Sequence, residues 1–363
     1  MYERGSQQFT LSKRRSIVPS RFNRRSEVPK DVTRRYAEID MIKVIGILAV
    51  LLIHCLRPVW SPHASPMEHF LNQELRFAVP GFLFCSGFLY AKSLRFGWDD
   101  TRSRLVRILI PYFVASVGAE IWRFVDGRPR NVAGIAEDLL LGGAFGHYYY
   151  VFVIVGLVIA TPVFGRMSRP ALIGTTLFIF AFQFGTIAME TITGTPAHTV
   201  VPRFWLVRLP LLWWNFFLLG WLLRQDYDRL RPWVMANRSR VVGALLVLCG
   251  VFSAAQILDV PGIVAETSSW LQIPTIIGLI MALFCGRETL PGVVRRASEA
   301  TFAIYLFHIF FLVWVQPFVP HARGFLDPGV VLAQFAAGLL GPPILIALGH
   351  LVLKRHSRLI LGA

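Results

Sequence analysis

The chain has 363 residues, of which 55% are apolar, with a mean hydropathy of +0.55 and a formal net charge of +16. Soluble domains are usually about 45–50% apolar, so an ordinary soluble fold is excluded and a polytopic all-α membrane protein is expected. Basic charge on a membrane face meets anionic lipid headgroups, and nucleic acid is not needed to explain it.

Residues 1–35 are basic and polar with no long apolar stretch, which predicts a disordered cytoplasmic tail rather than a cleavable signal sequence. Stretches of about twenty residues, long enough to cross a bilayer, then begin near Met41, Phe70, Leu105, His147, Ala171, Phe204, Val241, Trp270, Glu299 and Gly329. About ten transmembrane helices are therefore predicted. Lys and Arg gather at alternate ends of these stretches: ten before Met41, five in 92–107, Arg166 and Arg169, five in 224–240, Arg287, Arg295 and Arg296, then Lys354, Arg355 and Arg358. Such residues accumulate on the cytoplasmic side of short loops, so both termini are placed inside, in the plasma (inner) membrane. The third loop, with Arg123, Arg128 and Arg130, fits this pattern least well.

The longest gap, about 126–146, is too short to bury a core, and residues 135–141 within it read as an interfacial helix. The simplest organisation is one helical domain over residues 36–353, followed by a short basic cytoplasmic tail at 354–363. Cys55, Cys85, Cys249 and Cys285 lie in apolar segments without metal-ligand spacing, and no metal is expected.

One face of the first span carries Asp40, Lys43, His54 and Arg57. Eleven residues at 3.6 per turn bring His54 back to nearly the side of Lys43, about 16 Å further along the axis. Snorkelling and a satisfied interior histidine are the blander reading. Ionisable groups inside a span are costly, however, and favour a functional His54.

Arg76, Glu120, His147 and Arg208 fall in the same outer half of the predicted membrane, where interfacial pairing is the competing explanation. Arg76 lies deeper than snorkelling requires. Tyr148, Tyr149 and Tyr150 read as part of an aromatic belt. In the ninth span Ser298, Thr301, Tyr305 and His308 recur at three- or four-residue steps, a stripe suited to helix association as well as to chemistry at His308. Ser86 lacks a nucleophile elbow, and close helix packing at Gly87 explains its surroundings better.

Four ordered segments resemble the acyltransferase 3 family of integral-membrane O-acyltransferases: YAEIDMIKVIGILAVLLIH from Tyr36, RFAVPGFLFCSGFL from Arg76, HYYYVFVIVGLVIATPVF from His147 and SEATFAIYLFHIFFL from Ser298. Many members have arginine where this chain has Lys43, which keeps the charge and loses the bidentate fork. The resemblance implies transfer of an acyl group, commonly acetyl, from acyl-CoA to a hydroxyl of an extracytoplasmic glycan or lipid-linked sugar. It implies His54 as general base or as an acylated intermediate, with Arg76, Glu120 and His308 as further catalytic candidates. Lys43, Arg95, Arg102, Arg104 and Arg107 become candidate holders of the coenzyme A phosphates. Two other readings stand beside it. A transporter or flippase would use His54, Arg76 and Glu120 as a substrate or proton pathway, and a non-catalytic assembly partner would keep the helices without the chemistry.

Overall fold

The computed structural model describes residues 35–56, 65–91, 97–195, 197–209, 212–258, 262–315 and 328–362. Residues 1–34, and with them the predicted tail, lie outside these, as do Arg57 and Arg95. Within the unit Tyr36–Ala363 the described residues are helical, with no strand among them.

α1, Ala37–Cys55, forms the centre. It is apolar around most of its circumference, and a helix of that kind is buried by its neighbours. Ile42 and Leu51 are fully enclosed, and α3, α10, α11 and α12, whose bounds follow, pack around it.

The predicted second span is two helices. Ser65 starts α2, Pro66–Leu75, with a reciprocal cap: its hydroxyl accepts from the Glu68 N–H at 3.2 Å while the Glu68 carboxylate accepts from the Ser65 N–H at 2.8 Å. The chain turns at Arg76 and continues as α3, Ala78–Tyr90.

The remaining long helices are α4 (Trp98–Val125), α5 (Val132–Leu141), α6 (Tyr149–Phe164), α7 (Arg169–Thr193), α8 (Trp214–Ala236), α9 (Arg238–Ile257), α10 (Gly262–Phe284), α11 (Gly292–Val315) and α12 (Pro328–Leu353). Of two short helices, Ala197–Val200 precedes and Arg203–Leu206 occupies the start of the predicted sixth span, whose long helix begins instead at Trp214. Pro202, with no N–H to give and a fixed φ, stands just before the second of them.

Seven of the described helices are long and apolar enough to cross a membrane. The other three predicted spans fall on α1, which carries Glu38, Asp40 and Lys43; on α3, which has 13 residues; and on α8, whose second half carries Arg224, Asp226, Asp228, Arg229 and Arg231. Large apolar side chains cover the outside: α9 has no buried residue, and Val247, Leu332 and Leu351 are exposed, as lipid-facing positions require.

α3 and α8 cross at backbone contact. A Cβ on Gly87 would lie 1.9 Å from the Phe217 carbonyl oxygen, and one on Gly220 would lie 2.0 Å from that of Phe84. Small residues permit this approach between membrane helices, and packing at Gly87 accounts for the Ser86-Gly87 pair as expected. The four cysteines are free thiols.

α5 realises the predicted helix in the long gap. Asn131 caps it by accepting from the Gly134 N–H at 2.8 Å, and Gly142 ends it in the left-handed conformation at φ +71°. After α12 the segment expected as a tail folds onto the helices. Ser357–Leu361 forms a further turn against α4, with Leu361 buried and the Ser357 hydroxyl 2.5 Å from Nδ1 of His350.

Candidate active site

The polar stripe of α1 faces two separate cavities. At one end Asp40 accepts a hydrogen bond from the Ser298 hydroxyl at 2.6 Å, and Lys43 lines a cavity of about 220 Å³ together with Ser86, Tyr90 and Thr301. At the other end His54 lines a cavity of about 840 Å³. That volume lies within the range of about 300–1,000 Å³ usual for small-molecule sites. Arg76, His147, Tyr149, Arg208 and Tyr305 share its wall with His54.

Three histidines from distant parts of the chain meet there. The ring centroid of His54 is 5.4 Å from that of His147 and 5.2 Å from that of His308, and the latter two are 4.9 Å apart. His54 opens onto the cavity, whereas His308 is fully buried behind it.

Backbone carbonyls fix two of these rings. A carbonyl can only accept, so the nitrogen facing it carries the hydrogen. His147 donates from Nε2 to the Tyr305 carbonyl at 3.1 Å, and His308 directs Nδ1 at the carbonyls of Ile304 (3.1 Å) and Tyr305 (2.8 Å). In the neutral rings this leaves Nδ1 of His147 and Nε2 of His308 as acceptors. Among the described residues the buried Nε2 of His308 has no hydrogen-bond partner.

Two tyrosines tie the same segments together. The Tyr305 hydroxyl donates to the His147 carbonyl, and the Tyr148 hydroxyl donates to the Leu306 carbonyl at 2.7 Å. Residues 147–148 and α11 are thus cross-linked in both directions, which holds His147 and His308 in register.

The structure distributes the remaining candidates. Arg76 sits at the junction of α2 and α3 and lines the large cavity. Arg208 lines it too, but its guanidinium donates to the carbonyls of Leu141 at 2.7 Å, Phe204 at 2.6 Å and Gly142 at 2.9 Å, so it closes the C-terminal end of α5. Glu120 is not among the residues lining either cavity. It pairs with Arg123 at 2.7 Å, and Arg123 also reaches the buried Asp138 at 2.5 Å and the Ala144 carbonyl at 2.5 Å. Arg130 reaches Asp138 as well, at 3.2 Å. This network braces α5 against α4.

Of the basic candidates, Lys43 lines the smaller cavity. Arg104 lies 4.1 Å over the ring of Tyr90, which also lines it, and pairs with Asp100 at 2.7 Å, while among the described residues its buried Nη1 has no hydrogen-bond partner. Arg102 and Arg107 are exposed and do not line it. Two residues of helix turn Arg102 about 200° from Arg104. The Ser86 hydroxyl donates to its own helix at the Phe82 carbonyl, 2.9 Å away, as a packed helical serine does.

His147 is the member of the cluster that the sequence reading did not single out as catalytic. Its signal was the His-Tyr-Tyr-Tyr run opening the fourth span, whose partners in α11 lie 158 residues away.

Comparison with known proteins agrees with this picture. The family model described as an acyltransferase domain matches residues 36–349. Over 295 residues the chain is 23% identical to a protein of Bacillus subtilis (strain 168) named "Putative membrane-bound acyltransferase YfiQ", covering 76% of this chain and 81% of that protein. No solved structure matches. With the family match spanning the helices that build both cavities, this integral membrane protein belongs to the acyltransferase 3 family and is an acyltransferase.

Proposed function

We propose that the enzyme moves an acyl group, acetyl in the simplest case, from acyl-CoA to a hydroxyl of an extracytoplasmic glycan or lipid-linked sugar, with His54 as general base. The observation that carries this reading is the placement of His54: it faces an 840 Å³ cavity, while the ring of the fully buried His308 lies 5.2 Å behind it. If His54 gives its N–H to an acceptor such as His308 Nε2, its other nitrogen is left basic toward the cavity. His308 then acts as a positioning residue.

In this reaction the acceptor hydroxyl loses its proton to His54 as its oxygen attacks the thioester carbonyl. The tetrahedral intermediate collapses to the ester, the C–S bond breaks, and the thiolate takes the proton back from the imidazolium. Arg76, on the same cavity wall, supplies positive charge for the developing oxyanion. With both termini cytoplasmic, the Lys43 end faces the cytoplasm, where Lys43 and Arg104 meet the phosphates of the donor. Lysine at this position acts as a point charge rather than a bidentate clamp.

The test is chemical. Envelope glycans from cells producing the wild-type chain or His54→Ala at equal protein levels are compared by mass spectrometry for alkali-labile esters. An ester present with wild type and absent with the variant supports the reading; no ester difference between them rejects it.

A further inference from the structure

The two cavities on α1 share one wall residue, Tyr305, and two further aromatic rings pack against it on the side of the smaller cavity. Phe82 from α3, Tyr150 from α6 and Tyr305 from α11 meet in pairs, with centroids 6.2 Å apart for Phe82 and Tyr150, 6.3 Å for Phe82 and Tyr305, and 5.2 Å for Tyr150 and Tyr305. All three contacts are edge-on, and each ring is buried. Phe82 and Tyr150 line the smaller cavity with Lys43, while Tyr305 lines both.

The rings are not held alike. Tyr305 is fixed at its hydroxyl by the His147 carbonyl. Phe82 has no polar atom to anchor it and lies against the bare backbone of Gly46, where a Cβ would come within 3.0 Å of its Cε1 and 3.2 Å of its Cζ. Glycine at position 46 leaves the ring room that any other residue would take. Phe82, unlike Tyr305, is therefore held by packing alone.

We infer that Phe82, closing against Tyr150 and Tyr305, is a specificity-determining residue that sets the width of acyl group able to pass from the Lys43 cavity to His54. The inference rests on the proposed donor path, since an acyl-CoA bound at the Lys43 end must carry its thioester past these rings to reach the base. A linear two-carbon acyl group passes edge-on between rings, whereas a group branched at the α-carbon meets Phe82. A single carbon in a tight apolar site is worth roughly 10–200-fold in discrimination. The large cavity beyond imposes no comparable limit.

The experiment measures protein-dependent thiol release from acetyl-CoA and from isobutyryl-CoA in membranes containing the wild-type chain, Phe82→Ala or Phe82→Leu, with Gly156→Ala, in α6 and lining neither cavity, as a reference. The expected result is a preference of wild type for acetyl-CoA that falls about tenfold or more in Phe82→Ala and by less in Phe82→Leu, with Gly156→Ala unchanged. Retained acetyl-CoA turnover with an unchanged preference in both Phe82 variants overturns the inference and leaves the donor reading standing. Absence of thiol release from either compound with wild type overturns the donor reading itself, and the inference with it. Phe82→Leu keeps most of the buried apolar volume, so the comparison survives if the alanine variant does not fold.

Discussion

Replacing Gly87 with alanine tests the helix crossing that carries Phe82 and the walls of both cavities. The new Cβ would stand 1.9 Å from the Phe217 carbonyl oxygen, whereas ordinary contact begins at 3.4 Å, so α3 and α8 would have to part by about 1.5 Å. The obstructing atom is backbone, so no rotamer change relieves the overlap. Overpacking a tight interior costs roughly 1–3 kcal/mol, and a clash with backbone belongs at the upper end. Alanine is worth about 1 kcal/mol over glycine within a helix, which leaves a net loss of about 2 kcal/mol. At roughly 2 °C per kcal/mol, the apparent melting midpoint falls by about 4 °C. Gly156 in α6, whose added Cβ would meet nothing within 4 Å, serves as the control, and Gly156→Ala is expected to hold or raise the midpoint. The assay is heating of detergent-solubilised protein at one scan rate, followed by size-exclusion chromatography of the surviving fraction. Equal midpoints for Gly87→Ala and wild type would refute the close crossing.

Other substitutions separate the roles assigned above. Asp138→Ala removes a carboxylate that is 2% exposed and leaves Arg123 and Arg130 without it, so a loss of about 3 kcal/mol or more is expected in the same melting assay; a change under about 1 kcal/mol would contradict its bracing role. Arg169→Ala breaks an exposed bidentate pair with Asp226, at 2.8 and 2.5 Å, and is expected to change stability by no more than about 1 kcal/mol, which a larger shift in midpoint would disprove. Tyr305→Phe removes the hydroxyl that holds the His147 carbonyl but keeps the ring against Tyr150. A lower transfer rate with an unchanged preference for acetyl-CoA over isobutyryl-CoA is expected, and a changed preference would assign the selectivity to the hydroxyl instead of to Phe82.

The sequence was most legible where a single helix carries the signal. The stripe of Asp40, Lys43 and His54 needed only the 3.6-residue period, and it does face the two cavities. Long apolar runs located α4, α7, α9, α11 and α12 because backbone polar groups in lipid have few other ways to be satisfied. The break at Arg76 was hidden inside an apolar stretch with only a local turn to mark it. The sixth span shifted because short helices and the Arg208 clamp take up the residues before Trp214.

What no local pattern contained was convergence. His54, His147 and His308 come together through α1, the start of α6 and α11, and the carbonyl of Tyr305 that orients two of them offers no side-chain signal at all. Phe82 and Tyr150 read as ordinary apolar and belt residues until their place on the wall of the smaller cavity, against Tyr305, is known. Glu120 looked like His54 in depth and polarity, yet its partner three residues away commits it to the α4–α5 brace.

The most direct measurement is the initial rate of labelled acyl transfer from acetyl-CoA to envelope glycan in membranes containing equal amounts of folded wild-type chain or His54→Ala. Loss of a general base predicts a fall of roughly 10²–10⁴-fold. Equal rates in the two preparations would contradict a catalytic role for His54.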